Sequence, residues 1–412
     1  MPPVGFVAHH QGWYVTLQLR IDIHNRFSAH ENRFFRAELD GIGAGFRIVP
    51  GGPDMAHRTR LEQVVGWWRL IWSAWKKSGD TLSERPRPDF LFVNTHLELL
   101  VFTLRRRLVR GARPRVALVN FIVAQNGRGL SSRLRRLYYG RVLAEADLAF
   151  CHTRHDLDLY AEWYPSGSGK LRFQPFGFAV DPHESEGAAA FETPTEPYLF
   201  SAGRSSRDYA TLIGAVEPLG LPLYIACDKA SEIGGGGLPP NIHLLRDCYG
   251  AKFRAYLGGA RVLVTPLQPV EHSAGQMVVL EGLALEIPQV VTEVPGIVDY
   301  VDQGRAARMV APGDVGALRQ AITDLWASEG NRADLARRGR SFFEAQLTRR
   351  SAWEAMTAAA EEVTLGVKTL TPPARKGSIA GPRGGPELRP DAVESTTEGG
   401  DDGRPKRTDS AW

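Results

Sequence analysis

Between Ala260 and Gly304 the chain gathers residue types suited to anion chemistry. The run Val262–Leu267 is short, apolar and β-branched, and it predicts a strand ending near Leu267. A loop with Ser273, Ala274 and Gly275 follows, and a helix begins behind it. Small residues there let a ligand approach the backbone. The first N–H groups of a helix lack intrahelical partners, so they form a ready anion site. Glu281 falls in the second turn, and helical periodicity sets Met277, Glu281 and Ala284 roughly on one side. A carboxylate there could accept two hydrogen bonds from a ribose diol while phosphates sit at the helix start. The alternative is a buried helix with one solvated glutamate.

Other chemistry-bearing residues lie in the first half. His9, His10 and His96 are the histidine candidates, and His96 follows the apolar run Asp89–Val93, a place where side chains reach a cleft. A structural histidine is the competing reading. Asn120, Gln125 and Asn126 follow the next strand candidate. Asp156-Leu-Asp158 is formally a metal-binding D-x-D, but it sits in the first turn of a helix behind Thr153. Capping and dipole complementarity explain it better, so no metal requirement is expected. Neither G-x-G-x-x-G nor a P-loop occurs, which argues against dehydrogenase and NTPase chemistry.

These residues need a scaffold, and the pattern supplies one. Strand candidates Val4–Ala8, Phe46–Pro50, Phe90–Val93, Val116–Val123 and Leu148–Cys151 alternate with helical stretches. The second half repeats the scheme, with strands at Tyr198–Ala202, Leu223–Ala226, Ile242–Leu245, Val262–Thr265, Gln289–Thr292 and Arg308–Val310. Asp208 and Asp314 are N-cap candidates. Apolar strands alternating with helices imply parallel sheets covered on both faces. The expectation is therefore an α/β protein of two Rossmann-like domains facing across a cleft: residues 1–185, then 186–350, a helix over 351–370 returning to the first domain, and a disordered tail over 371–412. The linker composition of residues 181–197 marks the boundary.

Composition narrows the class. Of 412 residues, 43% are hydrophobic and 23% charged, which excludes a fibrous or wholly disordered protein. No apolar run is long enough to span a bilayer, and the N-terminus lacks a signal-peptide pattern. Three scattered cysteines form neither a disulfide framework nor a zinc pattern, which fits a cytoplasmic setting. The net charge is only +4, but arginines crowd the stretch from Arg105 to Arg141. That cluster suits phosphates or is a solvated helix face. The stretch Leu61–Lys77 carries Trp67, Trp68, Trp72 and Trp75 before two lysines. It reads either as an interfacial helix at the inner face of a membrane or as a helix packed on the first sheet.

The segment from Glu271 to Gly304 resembles the donor-site signature of GT-B glycosyltransferases, specifically glycosyltransferase family 4, the glycosyl transferases group 1. The match runs through Glu281-Gly-Leu-Ala-Leu-Glu-Ile-Pro288 and Gly296-Ile-Val-Asp299 to Gly304, and upstream through Gly203-Arg204-Ser-Ser-Arg207. The resemblance implies that Arg204, with Gly203 before it, contacts a donor diphosphate, and that Arg207 is a second cation. It implies that Glu281 holds the ribose, and that Gly275, Gln276 and Met277 offer backbone amides. The spacing departs in one respect: eight residues before Glu281 stands Ser273, and Glu271 comes two residues early. Either a longer loop lets Glu271 reach the donor sugar, or that role is lost. A cleft histidine is also implied, with His96 as candidate.

The activity so implied is a retaining, metal-independent transfer of a sugar from a UDP- or GDP-linked donor to an unidentified acceptor, with no cofactor beyond the nucleotide sugar. Nucleic acid is not an expected partner. Two alternatives stay open: a degenerate GT-B protein that binds a nucleotide sugar or a partner without transfer, and a nucleotide-sugar epimerase or hydrolase.

Overall fold

A computed structural model describes residues 4–9, 12–17, 19–24, 35–49, 60–109, 111, 113–123, 130–180, 182–228 and 237–366. His10, Gln125, Asn126, most of the Gly234–Gly237 run and the expected tail lie outside them.

The chain opens with a two-stranded antiparallel hairpin, β1 (Val4–His9) and β2 (Gly12–Leu17). The expectation that Val4–Ala8 belongs to the parallel sheet is thereby corrected. The first parallel strand is instead β3 (Arg20–His24), whose alternating charges hid it from a hydropathy reading. The sheet continues with β4 (Gly45–Val49), helix α1 (Arg60–Ser83), β5 (Phe90–Val93), α2 (His96–Leu108), β6 (Arg115–Leu118), α3 (Leu130–Glu145), β7 (Leu148–Cys151), α4 (Arg154–Trp163) and β8 (Leu171–Phe173). All six strands pair in parallel in the order β4-β3-β5-β6-β7-β8.

Burial on both faces explains the apolar strands. In β5, Leu91 and Val93 enter a core with Leu82 of α1, Phe102 of α2, Val142 of α3 and Tyr160 of α4. Phe90 and Phe92 point the other way, into a core with Phe35 and Trp353. Helices α1 to α4 therefore form one layer on one face of the sheet.

The chain continues through α5 (Pro182–Ala188), β9 (Leu199–Ala202), α6 (Tyr209–Val216), β10 (Leu223–Ala226), β11 (Ile242–Leu245), α7 (Gly250–Gly258), β12 (Val262–Thr265), α8 (Gln276–Ala284), β13 (Gln289–Thr292), α9 (Pro295–Val298), β14 (Arg308–Val310), α10 (Val315–Ala327), α11 (Glu329–Phe342) and α12 (Arg349–Leu365). The second sheet has the order β11-β10-β9-β12-β13-β14 and is also parallel throughout. Asp208 and Asp314 cap α6 and α10, each accepting a backbone N–H of the first turn. Residues 182–188 are not bare linker: they form α5, which packs on α7 and brings Ser185 to Arg254.

Helix α12 covers the far face of the first sheet. Trp353 packs against Phe35 and Phe92 with ring centroids 5.4 and 5.5 Å away. Arg349 pairs with Glu38 at 2.9 Å, and Arg115 donates to the Val363 carbonyl at 2.5 Å.

Candidate functional site

In open parallel sheets a ligand sits outside the carboxyl ends of the strands, where the order of strands reverses. In the second sheet that point lies between β9 and β12, since the chain moves outward from β9 to β11 and then returns. The loops after β9 and β12 close on each other there. Gln268 N–H donates to the Ser206 carbonyl at 3.0 Å, Asp208 N–H to the Pro266 carbonyl at 3.2 Å, and the Ser206 hydroxyl meets His272 Nε2 at 3.0 Å. Gly203, Arg204, Ser273, Gly275, Gln276 and Met277, far apart in sequence, thus share one rim.

Gly275 ends the second loop with φ +85°, a backbone conformation that favours glycine, and it caps α8 with no side chain. The first intrahelical bond is Val279 N–H to the Gly275 carbonyl, so the N–H groups of Gln276, Met277 and Val278 form the start of the helix. The site is held from behind. The Gln276 side chain donates to the Gly296 carbonyl at 2.9 Å, and Gly296 lies against Ser273 and Ala274. Met277 is exposed at the rim, as is Arg204 on the facing loop.

Arg207 differs from the expectation of a second surface cation. It is buried, and its guanidinium donates to the Ala202 carbonyl at 2.8 Å and the Ser205 carbonyl at 2.9 Å. It holds the shape of its own loop, filling the space where a side chain on Gly203 would lie; Gly203 has φ +112°. Glu281 is neither a solvated glutamate nor an open one. Its Oε1 accepts from Arg254 Nε at 3.0 Å and lies 3.0 Å from Nη2. Arg254 comes from α7 and is buried, a partner 27 positions away that no local pattern announces. Glu271 is exposed at the bend of the second loop.

The first sheet places its own polar residues at the corresponding edge. Its switch point lies between β3 and β5, where Asn94 donates to the His24 carbonyl at 3.0 Å. His96 opens α2 directly after the N-cap Thr95. It is half-buried in an aromatic nest, edge-on to Tyr139 at 4.7 Å and to Phe121 at 6.3 Å, with Nε2 buried and unpaired. Burial lowers its pKa to about 4, so the ring is neutral near pH 7. Asn120 follows β6 and lies 2.8 Å from His152 Nε2. His152 is buried, stacks on Phe176 at 3.7 Å and faces the Gln174 carbonyl through Nδ1 at 2.8 Å. The Asn120 atom nearest Nε2 is its Oδ1, and its Nδ2 donates to Asn94 Oδ1 at 3.4 Å, so His152, Asn120 and Asn94 form one chain of polar contacts. Sequence reasoning did not single out His152.

The two carboxyl edges are clasped together. Thr153 caps α4, accepting from Asp156 N–H at 2.9 Å and donating to Asp156 Oδ2 at 2.8 Å, so Asp156 serves as a capping residue. From the second sheet, Ser273 reaches the same carboxylate at 3.4 Å, Asp299 accepts the Arg154 N–H at 2.7 Å, and the Tyr300 hydroxyl donates to the His152 carbonyl at 3.0 Å. Burial raises the Asp299 pKa, an effect opposed by Arg154. Ser273, one of the small loop residues expected to let a ligand approach, is therefore also part of the junction between the sheets.

Two helix-covered parallel sheets joined at their carboxyl edges, with candidate residues at both switch points, define the GT-B architecture. Residues 212–328 match the family model described as Glycosyl transferases group 1, a stretch that includes the loop after β12 and the start of α8 but not β9 or the loop with Arg204. No curated protein sequence matches the chain. Solved structures share the fold. Sucrose-phosphate synthase from Thermosynechococcus elongatus is similar at 14% identity and TM-score 0.61, over 85% of this chain and 100% of that one. A UDP-forming trehalose-phosphate synthase from Burkholderia xenovorans gives 13% and 0.57 over 84% and 99%. HepE from Anabaena, solved in complex with UDP-glucose, gives 11% and 0.52 over 83% and 100%. At these identities the likeness concerns the fold.

Proposed function

We propose that the protein is a retaining, metal-independent glycosyltransferase that moves a sugar from a UDP- or GDP-linked donor to an acceptor held by the first sheet. One observation carries the reading. The uncapped start of α8 lies at the switch point of the second sheet, facing the loop that presents Arg204. Cleaving a sugar–diphosphate bond leaves negative charge on the nucleotide. Three helix N–H groups and one permanently charged guanidinium match that charge without a metal. HepE, solved in complex with UDP-glucose, supports a nucleotide sugar as ligand.

Glu281 holds the ribose diol, positioned by Arg254. Glu271 addresses the donor sugar from its exposed bend. His96, kept neutral by burial, accepts a hydrogen bond from an acceptor hydroxyl at the opposite edge. Cleft closure excludes water so that transfer outruns hydrolysis. No cofactor beyond the nucleotide sugar is needed. Cys151, Cys227 and Cys248 are buried free thiols, which supports a cytoplasmic setting.

The test is calorimetric titration of the full chain with UDP, GDP, ADP and their common sugars, with Arg204→Ala and Glu281→Ala beside it. Selective binding of one nucleotide, weakened about tenfold or more in each variant, is expected; that equals ~1.4 kcal/mol. A folded protein that binds none of them overturns the proposal. Turnover of the donor without acceptor, in the presence of EDTA, would favour the hydrolase or epimerase alternative.

A further inference from the structure

The tryptophan-rich helix and the arginine cluster are not absorbed by the donor site, and the structure sorts them. Part of the cluster is architectural. Arg105 lies over the Trp75 ring and donates to that residue's carbonyl, Arg106 pairs with Asp147, and Arg115 ties down α12. Arg107, Arg133 and Arg141 are exposed together with large apolar side chains.

Trp68 and Trp72 of α1 are 69% and 71% exposed, Leu108 of α2 is 70% and Leu137 of α3 is 71%. Leu104 and Leu134 are exposed beside them. The spacing is helical: 68 and 72 share one side of α1, 104 and 108 one side of α2, 134 and 137 one side of α3. Because α1 buries Leu70, Ala74 and Thr81, α2 Leu99 and Phe102, and α3 Val142 and Leu143, on sides turned away from these stripes, the stripes lie on the outer surface of the helix layer. Such a concentration on three neighbouring helices is not the scattered exposure normal for a monomer.

The charges among these side chains are mostly positive. Arg69, Lys76 and Arg133 are exposed there, against Asp80. Arg107 and Arg141 share the one carboxylate of Glu145, leaving that group net positive, and with Leu100 and Leu104 they line a shallow groove between α2 and α3. We propose that the outer face of α1, α2 and α3 docks on an anionic lipid bilayer. Tryptophan and leucine enter the headgroup boundary, and the cations meet lipid phosphates. A layer of helices lying along a sheet presents a broad face, which suits a bilayer. The two tryptophans could stack on bases, but the four exposed leucines offer a polynucleotide nothing to hydrogen-bond or stack on, whereas all six side chains suit a headgroup boundary. The contact proposed is a peripheral one; among the described residues no helix is long and apolar enough to cross a membrane.

The experiment is co-sedimentation of the full chain with vesicles of phosphatidylcholine alone and with 30% phosphatidylglycerol, for the wild type, Trp68→Ala/Trp72→Ala and Lys76→Glu/Arg133→Glu. The four positions are exposed, so circular dichroism and melting temperature should match the wild type. Expected are binding to the anionic vesicles only, a loss of about tenfold or more in the tryptophan variant, and a comparable loss in the charge variant. Absence of wild-type binding to anionic vesicles overturns the proposal. So does full retention in the tryptophan variant, which would mean surface adsorption by charge alone. A concentration-dependent dimer abolished by Trp68→Ala/Trp72→Ala, without vesicle binding, would assign the face to a second copy of the chain. Salt-sensitive retention on RNA at equal strength would assign it to a polynucleotide.

Discussion

Arg254→Met is the most informative single change. The Arg254 side chain is 6% exposed and that of Glu281 14%, and two guanidinium nitrogens lie 3.0 Å from one carboxylate oxygen. Methionine keeps much of the volume and removes the charge that Arg254 sets against Glu281 in a poorly solvated place. Breaking a buried pair from one side costs on the order of 3–5 kcal/mol, whereas removing both partners costs far less. The contact with Ser185 at 3.4 Å is lost as well, but it is long enough to count for little. A loss of about 3 kcal/mol shifts the melting temperature by roughly 4 °C for a compact unit spanning residues 1–368. Arg254→Met/Glu281→Gln should recover most of that loss, giving a coupling above about 1.5 kcal/mol in the double-mutant cycle. Urea denaturation measures all four species. If Glu281 holds a ribose, Arg254→Met also weakens UDP binding several-fold while leaving inorganic pyrophosphate binding unchanged. A single variant within about 0.5 kcal/mol of the wild type, or strictly additive losses, would refute the reasoning.

Other expectations follow from the same geometry. Gly275→Ala places a Cβ 3.1 Å from Leu267 and 3.3 Å from Ile297 at φ +85°, so it should cost ~1–3 kcal/mol in urea denaturation and weaken nucleotide binding in calorimetry. Burial lowers the pKa of His152 to about 4, with Nδ1 bonded to the Gln174 carbonyl opposing the shift. The unfolded chain takes up a proton near pH 6.5 and the folded one only near pH 4, so protons favour unfolding across that interval. The contribution of His152 is full above about pH 6.5 and up to ~2 kcal/mol of it is lost by pH 5, with His24 and His96 adding losses in the same direction; His152→Gln should reduce the dependence in urea titrations at the two pH values. Asp299→Ala removes the acceptor of the Arg154 N–H and should loosen the junction between the sheets by ~1–3 kcal/mol, read as faster limited proteolysis of the full chain.

Local physics made much of the scaffold legible. The runs at 90–93, 148–151, 199–202, 262–265 and 289–292 are apolar because both of their faces are buried, and this shows in hydropathy without any neighbour being known. Thr153, Asp208 and Asp314 announced helix starts because a cap is a contact between residues three apart. The small residues 273–275 marked the start of α8 for a similar reason. Strand β3 escaped because Arg20 and Asp22 interrupt it; Asp22 is buried against Arg47, a partner that folding supplies.

The site itself was only partly written in the sequence. Residue types fixed which groups can meet an anion: arginine for its permanent charge, glycine for the positive φ at 275, and the open N–H groups of a helix start. What those groups meet was decided by the tertiary structure. Arg207 and Arg204 are three positions apart, yet one is turned inward to two carbonyls and the other stands at the rim. Glu281 found Arg254 across 27 positions, and Asp299 found Arg154 across 145. Of the clustered arginines, Arg105, Arg106 and Arg115 tie elements down, while Arg107, Arg133 and Arg141 are exposed. Spacing along the chain governs which side of one helix a residue takes; only the packing of helices on sheets determines which charges become neighbours, and charges act through distance in space.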